Sequence, residues 1–356
     1  MSRGSVIFIA QATMHPDALR ILESAGRVVW GLPVEQRTPP PDLSADVQQR
    51  AAIRDHLMAV VNDINGIFGY FGYDAPVIEA ARALRVIMTP TSGTDNVDVD
   101  AATAAGVAVV NAAGAAYTPV AEHVMGLALS LMKHISVADR EAHRTYRQRR
   151  NAELIADFGL PSTLHGKVIG IVGFGFIGRE IGRIARDGFR MSVQCYDPYF
   201  DAVEASRQGA RAVMDLMTLL QESDVVCICT PLTRETDGLI GMDQLAAMKP
   251  TALLINCSRG RTVVTDDLLF ALKTNMIGGA GLDVADPEPL PEGHELFGLE
   301  NVILTPHIAG ISTDSSVHQS IQVVRDGVMV LRGKRPFHLV NPEVWQRIRD
   351  NEGAQS

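Results

Sequence analysis

A chain of 356 residues, 46% apolar and 5% aromatic, is long enough for two domains with separate cores and has the composition of an ordinary α/β protein. Its formal charge of −9 argues against a nucleic-acid face, which needs concentrated positive charge. The dense basic stretch at 143–150 reads instead as a solvated or subunit-facing segment.

Four cysteines, Cys195, Cys227, Cys229 and Cys257, fall in or just after apolar strand-like runs, where thiols behave as small buried hydrophobes. Cys227 and Cys229 share one strand face, but no second pair at ligand spacing accompanies them, so no metal is expected. A reducing, cytoplasmic setting fits that usage. The amino-terminal apolar core, residues 6–10, is too short for a signal peptide, and no run approaches the length of a membrane span.

Residues 6–10 read as a short buried strand and 16–25 as an amphipathic helix, opening an α/β unit. A proline-rich loop follows at 37–42. Beyond it the pattern predicts a helix over 45–61, a strand near 66–70, a helix over 75–84, a strand at 85–88 and a turn at 89–95. The first ~115 residues are thus expected to form a small parallel-sheet domain. Ser92 and Gly93 lie just past a strand's carboxyl end, where exposed backbone N–H groups could hold a carboxylate; a plain βα turn with a permissive glycine explains them equally well. Tyr70, Phe71 and Tyr73 read as core, with an aromatic pocket as the alternative.

Thr118 is placed to cap, and Pro119 to open, a helix with a continuous apolar face from Val120 to Met132. Residues 138–162 turn polar and read as an irregular surface excursion. Then comes the most informative stretch. A buried strand from Lys167 runs into Gly173-Phe-Gly-Phe-Ile-Gly178 and an amphipathic helix. In such a unit Gly173 makes the sharp turn, Gly175 leaves room for a pyrophosphate, and Gly178 lets helix and strand pack closely. The helix amino end offers free N–H groups to the phosphates. Nineteen residues past Gly178, a second strand ends in Asp197, where a carboxylate can accept from both ribose hydroxyls and repel a 2′-phosphate. That favours NAD over NADP.

Further strands are expected at 193–196, 211–213, 225–229, 252–256, 279–284 and 302–304, which makes a doubly wound sheet. Asp215 and Thr265 are read as helix caps, Gly238 and Gly241 as loop markers, and 313–332 as a last long helix returning to the first domain.

Three strand ends carry polar residues that a packed sheet does not need: Asn256-Cys-Ser-Arg259-Gly260, the stretch from Asp283 through Glu288, and Thr305-Pro-His307-Ile-Ala-Gly310. If those strands run parallel in one sheet, the groups converge on the nicotinamide crevice. Reducing a ketone by hydride needs a proton for the alkoxide and a cation to polarise the carbonyl. Histidine suits the first role and arginine, with its planar fork, the second. A neighbouring carboxylate would stabilise imidazolium. His307, Arg259 and Glu288 fill these roles, with Asp286, Glu292 and Glu295 as rival acids and His294 as a rival imidazole.

These motifs, together with Gly281-Leu-Asp-Val284 and Pro287-Glu-Pro-Leu-Pro291, resemble the D-isomer-specific 2-hydroxyacid dehydrogenases, across about residues 80–330. The resemblance implies two Rossmann-like domains: a doubly wound, parallel-sheet NAD domain, 118–317, inserted into a smaller flavodoxin-like substrate domain, 1–117 with 318–356. It implies that Arg259 binds substrate, that Glu288 pairs with the acid/base His307, and that the Ser92 and Gly93 amides receive the substrate carboxylate. Cofactor contacts are implied for Gly173, Gly175, Phe176, Ile177, Gly178, Asp197, Thr230, Pro231, Cys257, Asp283, His307 and Gly310. A homodimer through the NAD domain is implied as well, with a small 2-hydroxy or 2-keto acid as substrate and no nucleic-acid or membrane partner.

The chain departs from the family pattern at 115–120, at Cys229 where many members carry histidine, at 139–163 where Gly-x-Trp is missing, and at 33–50, which looks inserted. Substrate size and dimer contacts therefore stay open. Two other functions share the scaffold. Phosphite oxidation keeps an Arg/Glu/His trio, and NADH-sensing corepressors use the fold for binding alone.

Overall fold

The computed structural model describes residues 5–11, 14–37 and 43–353. Most of the proline-rich loop at 37–42, and residues 12 and 13, lie outside the described residues. In chain order the elements are β1 (Ser5–Ile9), α1 (Pro16–Glu23), β2 (Gly26–Trp30), α2 (Leu43–Val60), β3 (Gly66–Phe68), α3 (Ala75–Ala80), β4 (Val86–Thr89), α4 (Val99–Ala104) and β5 (Ala108–Asn111). There follow α5 (Tyr117–Met132), α6 (Ile135–Thr145), α7 (Asn151–Phe158), β6 (Val168–Val172), α8 (Phe176–Phe189), β7 (Ser192–Tyr196), α9 (Ala202–Arg207) and β8 (Arg211–Ala212). The remainder are α10 (Leu216–Glu222), β9 (Val225–Ile228), α11 (Met242–Ala247), β10 (Leu253–Asn256), α12 (Thr265–Lys273), β11 (Gly279–Leu282), β12 (Val302–Leu304), α13 (Thr313–Leu331) and α14 (Val344–Gly353).

The chain divides into two compact units, Met1–Ala116 with Ser312–Ser356, and Tyr117–Ile311. The first holds a five-stranded parallel sheet in the order β2-β1-β3-β4-β5, the flavodoxin arrangement. Helices cover both faces, so β3 and β4 are buried throughout and their sequences need no polar alternation. Phe8, Ile67 and Ile87 pack toward Leu57 of α2 and Val77 of α3. Ile7, Phe68 and Met88 point the other way, onto Leu22 of α1 and Val323 and Val324 of α13. Ser312 caps α13, its Oγ accepting from the Ser315 amide at 3.0 Å.

The second unit is a seven-stranded parallel sheet in the order β12-β11-β10-β9-β6-β7-β8, a doubly wound Rossmann sheet. Ile169 and Ile171 bury one face against Val124 and Ala128 of α5 and Ile181 of α8. Val226, Ile228 and Leu254 bury the other against Leu219 of α10 and Leu268 of α12. Asp224 fastens the amino edge of this sheet: its carboxylate accepts from the Val168 amide at 2.8 Å and from Lys249 Nζ at 3.0 Å.

Several local expectations need correction. Strands β2 and β5 and helices α4 and α14 stand where the sequence was assigned no element. Residues 138–162, expected to be irregular, contain most of α6 and all of α7. Those helices bury almost nothing and are held by surface pairs such as Arg144–Glu141 and Arg147–Glu153, which also neutralise the basic stretch. Thr118 does not cap α5, which begins one residue earlier at Tyr117, so Pro119 sits inside its first turn. Thr265 is the first residue of α12 rather than its cap, and its hydroxyl donates to the Asp286 carbonyl at 2.7 Å. Phe71 and Tyr73 are core, while Tyr70 is exposed. The four cysteines are free, and among the described residues no group of three or more metal-ligating side chains occurs and no helix is long and apolar enough to cross a membrane.

Candidate active site

In the second unit the strand order reverses between β6 and β9, and ligands of such sheets bind beyond the carboxyl ends at that reversal. Gly173 stands there with φ 91°, a left-handed conformation that glycine adopts without strain. A Cβ on Gly178 would lie 2.3 Å from the Gly173 carbonyl oxygen, so only glycine lets α8 start this close to β6. At Gly175 a Cβ would meet nothing within 4 Å, which leaves its backbone open to an approaching phosphate. Phe176 opens α8 and is largely exposed beside the Arg179 guanidinium, while Ile177 packs on the core.

Asp197, just past β7, binds the same turn. One carboxylate oxygen accepts from the Phe174 amide and the other from the Tyr199 amide, at 2.8 and 2.9 Å. Across the reversal, Thr230 Cγ2 would lie 3.0 Å from a Cβ on Gly173, and Thr230 Oγ1 is buried with no hydrogen-bond partner among the described residues. A buried hydroxyl without a partner is costly unless a ligand completes it. The open Gly175 backbone, the paired glycines and the orphaned Thr230 hydroxyl therefore fit a dinucleotide. Pro231 follows Thr230 at the surface, and Cys257 lies half-buried beyond β10.

The neighbouring strands β10, β11 and β12 bring the remaining candidates to one edge of the sheet. Beyond β10, the buried Asn256 organises the turn that carries Arg259. Its Nδ2 donates to the Arg259 carbonyl at 2.9 Å and its Oδ1 accepts from the Ser258 amide and hydroxyl at 3.0 and 2.9 Å. Arg259 Nη1 donates to the Ser258 carbonyl at 2.7 Å. The Thr265–Asp286 bond ties this turn to the loop after β11.

Asp283, 1% exposed at the end of β11, is the anchor of the loop after β12. Its Oδ1 accepts from Thr305 Oγ1 at 2.6 Å and from the Ile308 amide at 2.9 Å, and its Oδ2 accepts from the Ala309 amide at 2.9 Å. Gly310 follows Ala309 on the same loop. The Asp283 carbonyl accepts from the His307 amide at 2.8 Å. So held, His307 adopts a left-handed backbone with φ 55°, uncommon for a residue with a Cβ and typical of functional sites. Its Nδ1 lies 2.6 Å from Glu288 Oε1, with both side chains nearly half exposed.

The rivals fall away on geometry. His294 Nδ1 accepts from the Leu296 amide at 3.3 Å and so caps a short turn. Glu295 pairs with Lys273 at 2.5 Å, and neither Asp286 nor Glu292 is paired with His307. Ser92 and Gly93 belong to the other unit, in the loop beyond β4, where Asn111 Nδ2 donates to the Ser92 carbonyl at 2.6 Å and Thr91 Oγ1 to the Gly93 carbonyl at 2.8 Å. One residue at the His307 loop went unread in the sequence: His123 of α5, whose Nε2 lies 3.0 Å from Thr305 Oγ1.

The family profile described as "D-isomer specific 2-hydroxyacid dehydrogenase, NAD binding domain" matches residues 125–309. A glyoxylate reductase of Pyrococcus furiosus is 36% identical over 83% of this chain and 88% of that protein. A D-3-phosphoglycerate dehydrogenase of Methanocaldococcus jannaschii is 34% identical over 92% of this chain but only 58% of its own length. Among solved structures, the holo form of Rhodotorula graminis D-mandelate dehydrogenase superposes with a TM-score of 0.83 at 27% identity, covering 96% of this chain and 98% of that one.

Proposed function

This chain belongs to the D-isomer-specific 2-hydroxyacid dehydrogenase family and is an NAD-dependent oxidoreductase, and we propose that it interconverts a small 2-keto acid and its D-2-hydroxy acid through Arg259, Glu288 and His307. The observation that carries this assignment is the 2.6 Å contact between His307 Nδ1 and Glu288 Oε1, on a loop fixed at the ligand edge of the sheet.

A carboxylate can only accept, so Nδ1 keeps its proton and Nε2 becomes the exchangeable position. In the reducing direction the imidazolium delivers the Nε2 proton to the developing alkoxide, and Glu288 keeps the ring oriented throughout. In the oxidising direction the neutral ring removes the hydroxyl proton. Arg259 polarises the carbonyl and holds the substrate carboxylate with its fork. When bound, the nicotinamide cofactor supplies or takes up the hydride. The 173–178 turn holds its pyrophosphate, Asp197 its ribose hydroxyls, and Thr230 offers its unsatisfied hydroxyl.

Family precedent and the free thiols support a homodimer in a reducing cytoplasm; light scattering on the purified protein checks the dimer. The test of the activity is an initial-rate panel of 2-keto acids, glyoxylate first because the Pyrococcus relative is a glyoxylate reductase, with NADH and NADPH compared. NADH oxidation with at least one 2-keto acid is expected. NADH binding without turnover on any acid would point to a binding protein, and NADH formation from phosphite to the other chemistry.

A further inference from the structure

We propose that His123, on a helix remote in sequence from the catalytic trio, is a positioning residue for the proton-donating loop. The inference rests on the assignment of His307 as the acid/base.

Helix α5 is otherwise apolar where it meets the sheet, burying Val120, Ala121, Val124, Leu127 and Ala128. It lies very close to β11, because a Cβ on Gly281 would be 3.0 Å from the Leu127 Cβ. His123, one turn before Leu127 on the same helix face, thereby reaches the carboxyl end of β11 and its neighbour β12. There it meets Thr305 Oγ1 at 3.0 Å and stands 3.6 Å from Asp283 Oδ1.

The direction of each bond follows from counting protons. Thr305 has one hydroxyl hydrogen, and the 2.6 Å contact to the Asp283 carboxylate consumes it. Toward His123 the Thr305 oxygen can only accept, so His123 Nε2 carries a hydrogen and donates. Asp283 is a buried carboxylate, and among the described residues His123 is the only basic side chain with which it forms an ion pair. A buried carboxylate is costly unless hydrogen-bond donors satisfy its oxygens. The chain of donors thus runs from His123 to Thr305 to Asp283, and Asp283 in turn fixes the Ile308, Ala309 and His307 amides. Without the His123 donor, the Thr305 oxygen loses its partner, and the hydroxyl that donates to Asp283 is no longer held in place. The loop that keeps His307 left-handed then loosens.

The test uses full-length protein with NADH and its best 2-keto acid. His123→Leu and Thr305→Val should each lower kcat by about 10–100-fold, the range for loss of a supporting partner, with the NADH Kd and substrate KM changed little. Combining the two should cost little more than either alone, because both cut one link. His123→Gln, whose side-chain amide can still donate to Thr305, should recover most of the loss. Wild-type kcat in His123→Leu, or additive losses in the double variant, would overturn the proposal. So would a Gln variant as slow as Leu. Thr305→Val carries the test if His123→Leu does not fold. Running His307→Asn alongside separates the two levels. If it stays active, the acid/base assignment fails and this inference with it; if it is inactive while His123→Leu is normal, only this inference fails.

Discussion

The backbone amide of His307 donates to the carbonyl of Asp283 at 2.8 Å, and that bond pins a histidine in a left-handed conformation. The same aspartate uses both carboxylate oxygens on Thr305, Ile308 and Ala309. Its work in the folded chain is therefore to shape the loop that presents His307, whatever further contact it makes with bound cofactor. A residue held in an uncommon conformation by a buried charge is expensive, and it persists where the resulting side-chain aim is needed.

Glu288 orients His307 by accepting from Nδ1. Glu288→Gln can keep the hydrogen bond but loses the charge that stabilises imidazolium, so kcat for ketone reduction should fall by about 10–100-fold. Cofactor affinity, measured by NADH fluorescence, should be unchanged. Equal kcat values would mean that the carboxylate charge does not matter.

The Arg259 turn is organised by Asn256, whose Nδ2 donates to the Arg259 carbonyl at 2.9 Å, and the guanidinium is the group assigned to substrate. Arg259→Lys retains the charge and loses the fork, so KM for the 2-keto acid should rise by about tenfold or more. Initial rates against keto-acid concentration check this, and an unchanged KM would remove Arg259 from substrate recognition.

Both oxygens of Asp197 accept from backbone amides, which fixes the carboxylate at the end of β7. Asp197→Asn removes its repulsion of a 2′-phosphate. The preference for NADH over NADPH in kcat/KM should shrink by about tenfold, or ~1.4 kcal/mol. A preference unchanged by the substitution would place cofactor discrimination elsewhere.

Asp224 offers a pH test of the fold. Burial pushes its carboxyl up, but the Val168 amide and the Lys249 ammonium together pull it below the ordinary aspartate range. A carboxyl whose folded value is depressed contributes stability above its unfolded value, about 3.9, and that contribution is lost as pH falls through the folded value. Asp224→Asn should therefore destabilise by about 1–3 kcal/mol at pH 7. The gap from wild type in urea melts should narrow as pH falls below the ordinary aspartate range.

The fold was largely legible because parallel strands buried on both faces are written as uninterrupted apolar runs, as in Val168–Val172 and Leu253–Asn256. Helix α7, which buries none of its residues, and the half-buried β2 were not legible, nor was β5, a buried strand of only four residues. The trio was readable because each member follows a strand and has no packing role there. His123 was not, since a single imidazole on an apolar helix has no local spacing signal, and its partner Thr305 lies 182 residues away. The part Asp283 plays in shaping the loop was hidden for the same reason, as it depends on a turn that the chain makes only after β12.

Cys229 follows β9 and carries a free thiol. Burial pushes its thiol up to about 12, so at pH 8 only about one molecule in 10⁴ carries the reactive thiolate. Iodoacetamide at pH 8 should leave NADH turnover intact over an hour, and rapid inactivation traced to Cys229 by peptide mass would contradict that.

The most direct measurement is single-turnover reduction of a 2-keto acid by enzyme saturated with NADH, comparing wild type with His307→Asn. Loss of about 10²–10⁴-fold in the chemical step, with NADH affinity retained, is the expected result. A near-normal rate in the variant would contradict the assignment of His307 as the group that exchanges a proton with the substrate.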